Sequence, residues 1–256
     1  MAETHGAPPS GTPQPRYYVG LDLGQVADYT AIAVLERPPV PTDAPPYKPP
    51  VYALRHLERL PLGTSYPDVV AAVGDLMGRL PRRGPLVADA TGVGRPVIDL
   101  LRAAGLDPIP VVVHGGDQTT VVEGYRRVPK RELVAVAQVL LQQRRLRVAR
   151  SLPLVKALVE ELQTFEVKIS DTGHDSYGVW REGKHDDLVF ATALACWYAA
   201  RVAAVDEWLT RNPTQVYGVS ITATPTHTSQ EAALAATRDR FDAWAKRGAQ
   251  TRVGTR

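Results

Sequence analysis

Three β-type runs stand one after another near the start of this chain, before any helical pattern. Tyr17 to Asp22 is an apolar run closed by an acid, Tyr29 to Glu36 is β-branched and apolar, and Val51 to Leu60 alternates. Gly24 to Asp28 is a tight enough turn to make the first two runs an antiparallel hairpin. Pro38 to Pro50 holds seven prolines and cannot be sheet interior. It reads as a long, stiff hairpin loop into the third strand, or as a plain spacer. The pattern then changes. Val69, Val70, Val73, Leu76, Met77 and Leu80 recur at helical spacing within Tyr66 to Leu80, with Ser65 as cap and Pro67 in the first turn. A short strand, Pro85 to Asp89, a helix from Val93 or Gly94 to about Ala104 capped by Gly105, and a strand from Ile109 to His114 follow. Strand–helix–strand implies parallel pairing with a right-handed crossover. Three antiparallel strands followed by parallel ones make a mixed five-stranded α/β sheet flanked by helices.

The remainder continues that scheme. A basic turn, Tyr125 to Arg131, precedes an apolar helix from Pro129 to Gln143. Leu146 to Val148 reads as a short strand. Leu152 to Thr164 is amphipathic on Leu154, Leu158 and Leu162. Phe165 to Ile169 and Ser176 to Trp180 suggest a small hairpin, and Asp187 to Val205 an apolar helix. The expected organisation is a disordered tail over 1–15, one domain over 16–205, and a polar extension over 206–256. Within that extension, 230–247 can form an amphipathic helix.

Acids punctuate this plan. Asp22 closes the first strand and Asp89 the fourth, and Asp186-Asp187 open the apolar helix. An ionised carboxylate beside an apolar core must be paired or bind a cation. Alternation turns Asp22 away from the face that Leu21 and Leu23 bury. Gly24 leaves room next to it for a metal or phosphate to approach the backbone, and Asp28 lies across the turn. Taken alone, Asp-x-Gly is equally a turn aspartate with a turn glycine. Asp89 leads into Thr91-Gly92-Val93-Gly94, a helix start whose N–H groups can contact phosphate, or an ordinary connector. Asp186 and Asp187 suit a helix N-terminus as caps, which accounts for one acid more easily than for two. Converging, these acids make an oxygen-donor site for Mg²⁺ or Mn²⁺.

Composition sets limits. The chain has 256 residues, a formal charge of +3 and 44% hydrophobic residues, enough for a sizeable core. Its pI of about 9.0 tolerates a nucleic acid partner without demanding one. The single cysteine, Cys196, excludes an internal disulfide framework, fits a reducing cytoplasm and reads as a buried thiol. No P-loop, signal peptide or charge-free membrane-spanning run is expected.

The motifs Asp22-x-Gly24 with Asp28-x-Thr30-Ala31, Asp89-x-Thr91-Gly92-x-Gly94, and His185-Asp186-Asp187-Leu188-Val189 with its alanine-rich continuation resemble the nuclease domain of phage terminase large subunits. The resemblance runs from about Tyr17 to Ala204. It implies a ribonuclease H-like, RuvC-like fold and an endonuclease cutting concatemeric phage DNA by two-metal hydrolysis. By position, Asp22, Asp89 and Asp186 match catalytic metal-binding acids, Asp187 a neighbouring ligand, and Asp28 an acid sometimes close to the two Mg²⁺ or Mn²⁺ ions. Lys130, Lys184, His185, Arg126, Arg127, Arg144, Arg145 and Arg147 are candidate contacts to the DNA backbone. The implied partners are double-stranded DNA and a separate packaging ATPase, small terminase subunit or portal protein, with no membrane, in the bacterial host cytoplasm. Set against the family, no fused packaging ATPase is expected within these 256 residues, Asp89 stands where glutamate is frequent, and Phe190 where many members have aspartate. Two rival readings remain. One is an actin- or sugar-kinase-like phosphotransferase, which shares Gly-x-Asp-x-Gly but needs a second phosphate loop that Gly115-Gly116-Asp117 does not supply. The other is a DNA-binding or assembly module of the same fold without catalysis.

Overall fold

The computed structural model describes residues 14–24, 28–39, 49–92, 94–164 and 185–211. The chain divides into two compact units, Met1–Ala200 and Arg201–Arg256. Most of the proline loop, the hairpin expected within 165–180, the helix expected over 230–247, and Lys184 lie outside the described residues, as does the tail up to residue 13.

The three opening runs form β1 (Arg16–Asp22), β2 (Ala31–Arg37) and β3 (Tyr52–Arg59), each antiparallel to the next. Then come α1 (Tyr66–Arg79), β4 (Leu86–Asp89), α2 (Gly94–Ala103) and β5 (Pro108–His114). Ser65 caps α1 by accepting the Asp68 N–H at 3.3 Å, with proline in the first turn. Gly105 closes α2 at φ +73°, a left-handed conformation that glycine adopts at no steric cost. β4 pairs parallel with both β1 and β5. The spatial order β3-β2-β1-β4-β5 is the ribonuclease H-like core that the element order implies.

The sheet is wider than that core. β6 (Thr120–Val122) and β7 (Tyr125–Pro129) form a hairpin whose second strand runs parallel to β5. The segment expected as a basic turn is therefore largely a strand, with Val128 buried in the core and Pro129 ending it. α3 (Lys130–Gln142) follows, and β8 (Leu146–Val148) adds parallel to β3 at the opposite edge. The full order is β6-β7-β5-β4-β1-β2-β3-β8. α4 (Val155–Thr164) and α5 (Asp187–Arg211) complete the elements.

Alternation along the strands sorts the side chains into two layers. Val19, Leu21, Ile32, Val34, Leu86 and Ala88 face α1 and α2. Val87, Val111 and Val128 face the other way, onto Leu133 and Ala137 of α3 and onto Phe190, Ala193, Leu194 and Trp197 of α5. α5 is buried all round from Leu188 to Trp197, which explains why it is apolar on every face. Its first 18 residues have a mean hydropathy of 1.3, long and apolar enough to cross a membrane, yet most of that stretch is interior to the protein. Cys196 is fully buried there, and burial pushes its thiol up to about 12. Tyr52 on β3 ties α5 to the sheet by donating its hydroxyl proton to the Ala199 carbonyl at 3.1 Å.

Candidate metal centre

The site is set by two strand ends and one helix start. In the parallel pairing of β1 with β4, Gly20 stands opposite Val87 and Leu21 opposite Ala88. One step further along both strands brings Asp22 beside Asp89. Asp22 shares its face with Gly20, and Asp89 shares its face with Val87, so both acids lie on the side covered by α5.

Gly20 determines how close α5 comes. A Cβ at this position would meet the Ala191 carbonyl oxygen at 1.9 Å and the Ala195 nitrogen at 3.0 Å. The helix backbone thus rests on the bare strand backbone, an approach that only glycine allows. The alanines of α5 complete this fit, and the contact brings the start of α5 to the ends of β1 and β4.

Asp22 and Asp89 lie close enough for each to bear on the other's ionisation. Asp22 is held well above the usual carboxylate range, first by desolvation, then by the charges of Asp89, Asp186 and Asp187, with Lys130 opposing. Asp89 is also raised by burial. Hydrogen bonds from the hydroxyl and backbone of Thr91 and from Asp22, together with the charge of Lys130, act against that rise. Thr91 clamps Asp89 by donating its N–H at 2.8 Å and its hydroxyl proton to one carboxylate oxygen, and its own oxygen accepts the Val113 N–H at 2.9 Å. This is the physical content of Asp-x-Thr: the threonine fixes the acid to both β4 and β5.

Lys130, the first residue of α3, reaches into this group. Its ammonium lies 3.6 Å from Asp186 and 4.4 Å from the centre of the Phe190 ring. Asp186 precedes α5, its carbonyl accepting the Phe190 N–H, and its side chain is 54% exposed. Asp187 is only 6% exposed and points elsewhere: its carboxylate takes Arg59 Nε at 2.6 Å and a second guanidinium N–H at 3.3 Å. The same guanidinium donates to Glu161 of α4. Glu161 accepts the Val189 N–H at 2.9 Å, serving one of the N–H groups that the first turn of α5 leaves without a partner. Arg59 also stacks 5.0 Å from the Tyr29 ring, whose neighbour is His185 at 5.0 Å, edge-on. His185 stands 3.9 Å from Asp187.

The structure thus gathers Asp22, Asp89, Asp186 and Lys130, with Asp187 and His185 beside them. Asp28 is half-buried in the β1–β2 turn, its carbonyl against Gly24, whose N–H donates to Thr30 Oγ1. Arg127 lines an open cleft of about 320 Å³ with Arg95, Tyr125 and Ala90, the residue after Asp89. Arg126, on the same strand, lies 5.8 Å from the Tyr198 ring. Arg144 and Arg145 sit past the C-terminal end of α3, about 20 Å along that helix from Lys130. Arg145 there donates to the Pro50 carbonyl at 2.9 Å, and Arg147 lies next to it on the edge strand β8. Arg59 and Glu161 were not among the residues singled out from sequence. The available signal was the spacing of Glu161, three after Leu158, which is buried; Leu154, expected on the same stripe, is exposed and precedes the helix.

The donor set suits a hard divalent cation: oxygens only, from acids at neighbouring strand ends. Among the described residues, no three histidine, cysteine, aspartate or glutamate side chains already converge as a metal cage. Asp22 and Asp89 meet, while the Asp186 carboxylate lies toward Lys130.

No protein-family model matches the chain, and no curated protein matches it. Solved structures are similar to it. The large terminase nuclease from thermophilic phage G20c is 25% identical, with a TM-score of 0.49 over 71% of this chain and 81% of that one. The nuclease domain of the large terminase of bacteriophage SPP1, with bound Mn, is 14% identical at a TM-score of 0.43, covering 70% and 84%. The human cytomegalovirus terminase nuclease domain, soaked with Mn and inhibitor-bound, is 14% identical at a TM-score of 0.45, covering 74% and 85%.

Proposed function

We propose that this chain is a divalent-metal-dependent endodeoxyribonuclease of the terminase kind, cutting concatemeric phage DNA during genome packaging. The observation that carries this is the pairing of Asp22 with Asp89 at the ends of adjacent parallel strands, beneath the helix start that presents Asp186. Two neighbouring carboxyls that burial holds above the usual carboxylate range form an arrangement that a bound cation relieves. Asp22, Asp89 and Asp186 are the residues that would hold Mg²⁺ or Mn²⁺. When bound, a pair of such ions supplies an activated water and stabilises charge on the phosphorus and the leaving 3′-oxygen.

The chain's own groups do the rest. Thr91 keeps Asp89 in one orientation. Lys130 balances the acid cluster, and its ammonium is placed to take a phosphate oxygen of the strand being cut when Asp186 turns toward the other two acids. Arg127 and Arg95 offer positive charge beside Asp89 for flanking phosphates. These contacts address the backbone, so cleavage has little sequence preference. A packaging ATPase, small subunit or portal protein supplies the motor and docking functions in this reading.

The test is nicking of supercoiled plasmid with Mn²⁺. The wild-type chain cuts; Asp22→Ala remains folded and does not. Wild-type-level cutting by Asp22→Ala would place the site elsewhere. ATP turnover with no DNA cutting would support the phosphotransferase reading. DNA retention on a gel without cleavage, in wild type and Asp22→Ala alike, would support a binding module.

A further inference from the structure

We propose that Arg59 and Glu161 are positioning residues, which lock the first turn of α5 and so set where Asp186 stands relative to Asp22 and Asp89. This rests on the nuclease reading above, because it assigns a purpose to the geometry of that site.

The case begins with where the charges are. Arg59 ends β3, Glu161 sits on α4 and Asp187 begins α5, so three elements distant in sequence meet at one guanidinium. The Glu161 side chain is 5% exposed, Asp187 6% and Arg59 18%. A surface ion pair adds little to stability, but burying a guanidinium with two carboxyl groups carries a desolvation penalty that packed apolar side chains would avoid. Stability alone is therefore a weak reason for this cluster. What it provides is direction. Arg59 takes Asp187 through two N–H groups, and a fork fixes orientation as well as distance. Glu161 spends one carboxylate oxygen on Arg59 and the other on the Val189 N–H. The side chain at the first position of α5 and the backbone at the third are thus held to the end of β3 and to α4.

Asp186 is the residue immediately before this pinned turn, with its carbonyl in the first helical hydrogen bond. Its side chain pairs with Lys130 at 3.6 Å, a longer and more exposed contact than those of Asp187. The backbone is therefore fixed while the carboxylate can swing, which suits an acid that must move from Lys130 to a cation. Tyr29, stacked on Arg59, carries the same unit to the β1–β2 turn that follows Asp22. A lysine at position 59 keeps the charge but cannot grip two carboxylates in a fork.

The experiment compares full-length wild type with Arg59→Lys, Glu161→Ala and Glu161→Gln. Mn²⁺ affinity is read by the electron paramagnetic resonance signal of free ion, folding by thermal melting, and plasmid nicking as kcat and KM separately. Residues that orient ligands typically change metal affinity about 10- to 100-fold when removed. Arg59→Lys and Glu161→Ala should therefore weaken Mn²⁺ binding by about tenfold or more and lower kcat, leaving KM for DNA unchanged. Glu161→Gln keeps one acceptor oxygen and sets an amide NH2 donor where the second stood, so its Mn²⁺ affinity should also fall below wild type. If Glu161→Ala does not fold, Arg59→Lys carries the test. A folded Arg59→Lys with wild-type Mn²⁺ affinity and kcat overturns the positioning role, as does a folded Glu161→Ala with wild-type Mn²⁺ affinity. A wild-type protein that neither binds Mn²⁺ nor cuts DNA overturns the nuclease reading and this inference with it, whereas intact wild-type behaviour with unaffected variants overturns this inference alone.

Discussion

Replacing Gly20 with alanine tests the contact on which the site is built. The added Cβ would sit 1.9 Å from the Ala191 carbonyl oxygen and 3.0 Å from the Ala195 nitrogen. The nearer approach falls roughly 1.5 Å short of an ordinary van der Waals contact. Both obstacles are backbone atoms of a buried helix, so no side chain can rotate aside. β1 cannot yield either, because β2 and β4 flank it in the sheet. The helix must therefore lift from the strand. Overpacking costs about 1–3 kcal/mol when side chains and backbone can adjust, and here the cost belongs at or above the upper end. Against a total stability of about 5–15 kcal/mol, that is a large fraction. Gly78→Ala is the matched control. Gly78 lies in α1 with nothing within 4 Å of an added Cβ, and alanine there should stabilise by about 0.5–1 kcal/mol through helix propensity. Urea denaturation, read as a change in midpoint at constant slope, measures both. Cleavage is then compared at a temperature where Gly20→Ala is still folded. A misplacement of about 1 Å can cost roughly 100-fold in rate, so the folded variant should be nearly inactive. A Gly20→Ala protein with wild-type midpoint and wild-type cutting would refute the close packing of α5 on β1.

Two further outcomes follow from individual contacts. Thr91→Val removes the hydroxyl that donates to Asp89 and the acceptor for the Val113 N–H; it should cost about 1–3 kcal/mol in denaturation midpoint, and Thr91→Ser, which retains both, should cost less than half of that. Glu161 is pushed up to about 8, first by burial and then by the charge of Asp187, against the Val189 N–H and Arg59. Its folded value thus lies above its unfolded one, so the stability it contributes is fully present below about pH 4.5 and is lost as pH rises to about 8. The loss should not exceed about 1.4 kcal/mol per pH unit for one proton, and it should be absent from the stability–pH profile of Glu161→Gln.

The parts of the fold that were legible in sequence are those set by local periodicity. β1, β4 and α1 show their alternation or helical spacing directly, and Ser65 and Gly105 mark ends that the structure keeps. The placing of Asp22 beside Asp89 followed from two strand ends and a parallel crossover. β7 was not legible, because Tyr125-Arg126-Arg127-Val128-Pro129 combines adjacent cations with a proline, the composition of a turn. It is a strand because β5 offers an open parallel edge on one side and β6 covers the other. Nothing local marks Gly20, since what makes it necessary is the backbone of a helix 171 residues further on. Arg59 and Glu161 each look like a solvated charge when read alone. Their meaning appears only when β3, α4 and α5 come together, and no local pattern carries that.

The two ends of α5's first stretch therefore do different work on the same acid. At Ala191, contact with Gly20 sets the height of the helix above β1; at Asp187 and Val189, Arg59 and Glu161 set the rotation of its first turn. Height without rotation would bring the helix start to Asp22 but leave Asp186 free to face solvent. Rotation without height would aim Asp186 correctly from too far away. The two constraints come from independent contacts more than one helical turn apart along α5 from Asp187 to Ala191. Their effects on Mn²⁺ affinity should therefore combine less than additively, since either failure alone already removes Asp186 from the pair. A Gly20→Ala, Arg59→Lys double variant should bind Mn²⁺ about as weakly as the worse of its two parents. Affinity losses that simply multiply would mean the two contacts act on different ligands, and that Asp186 is not the acid they share.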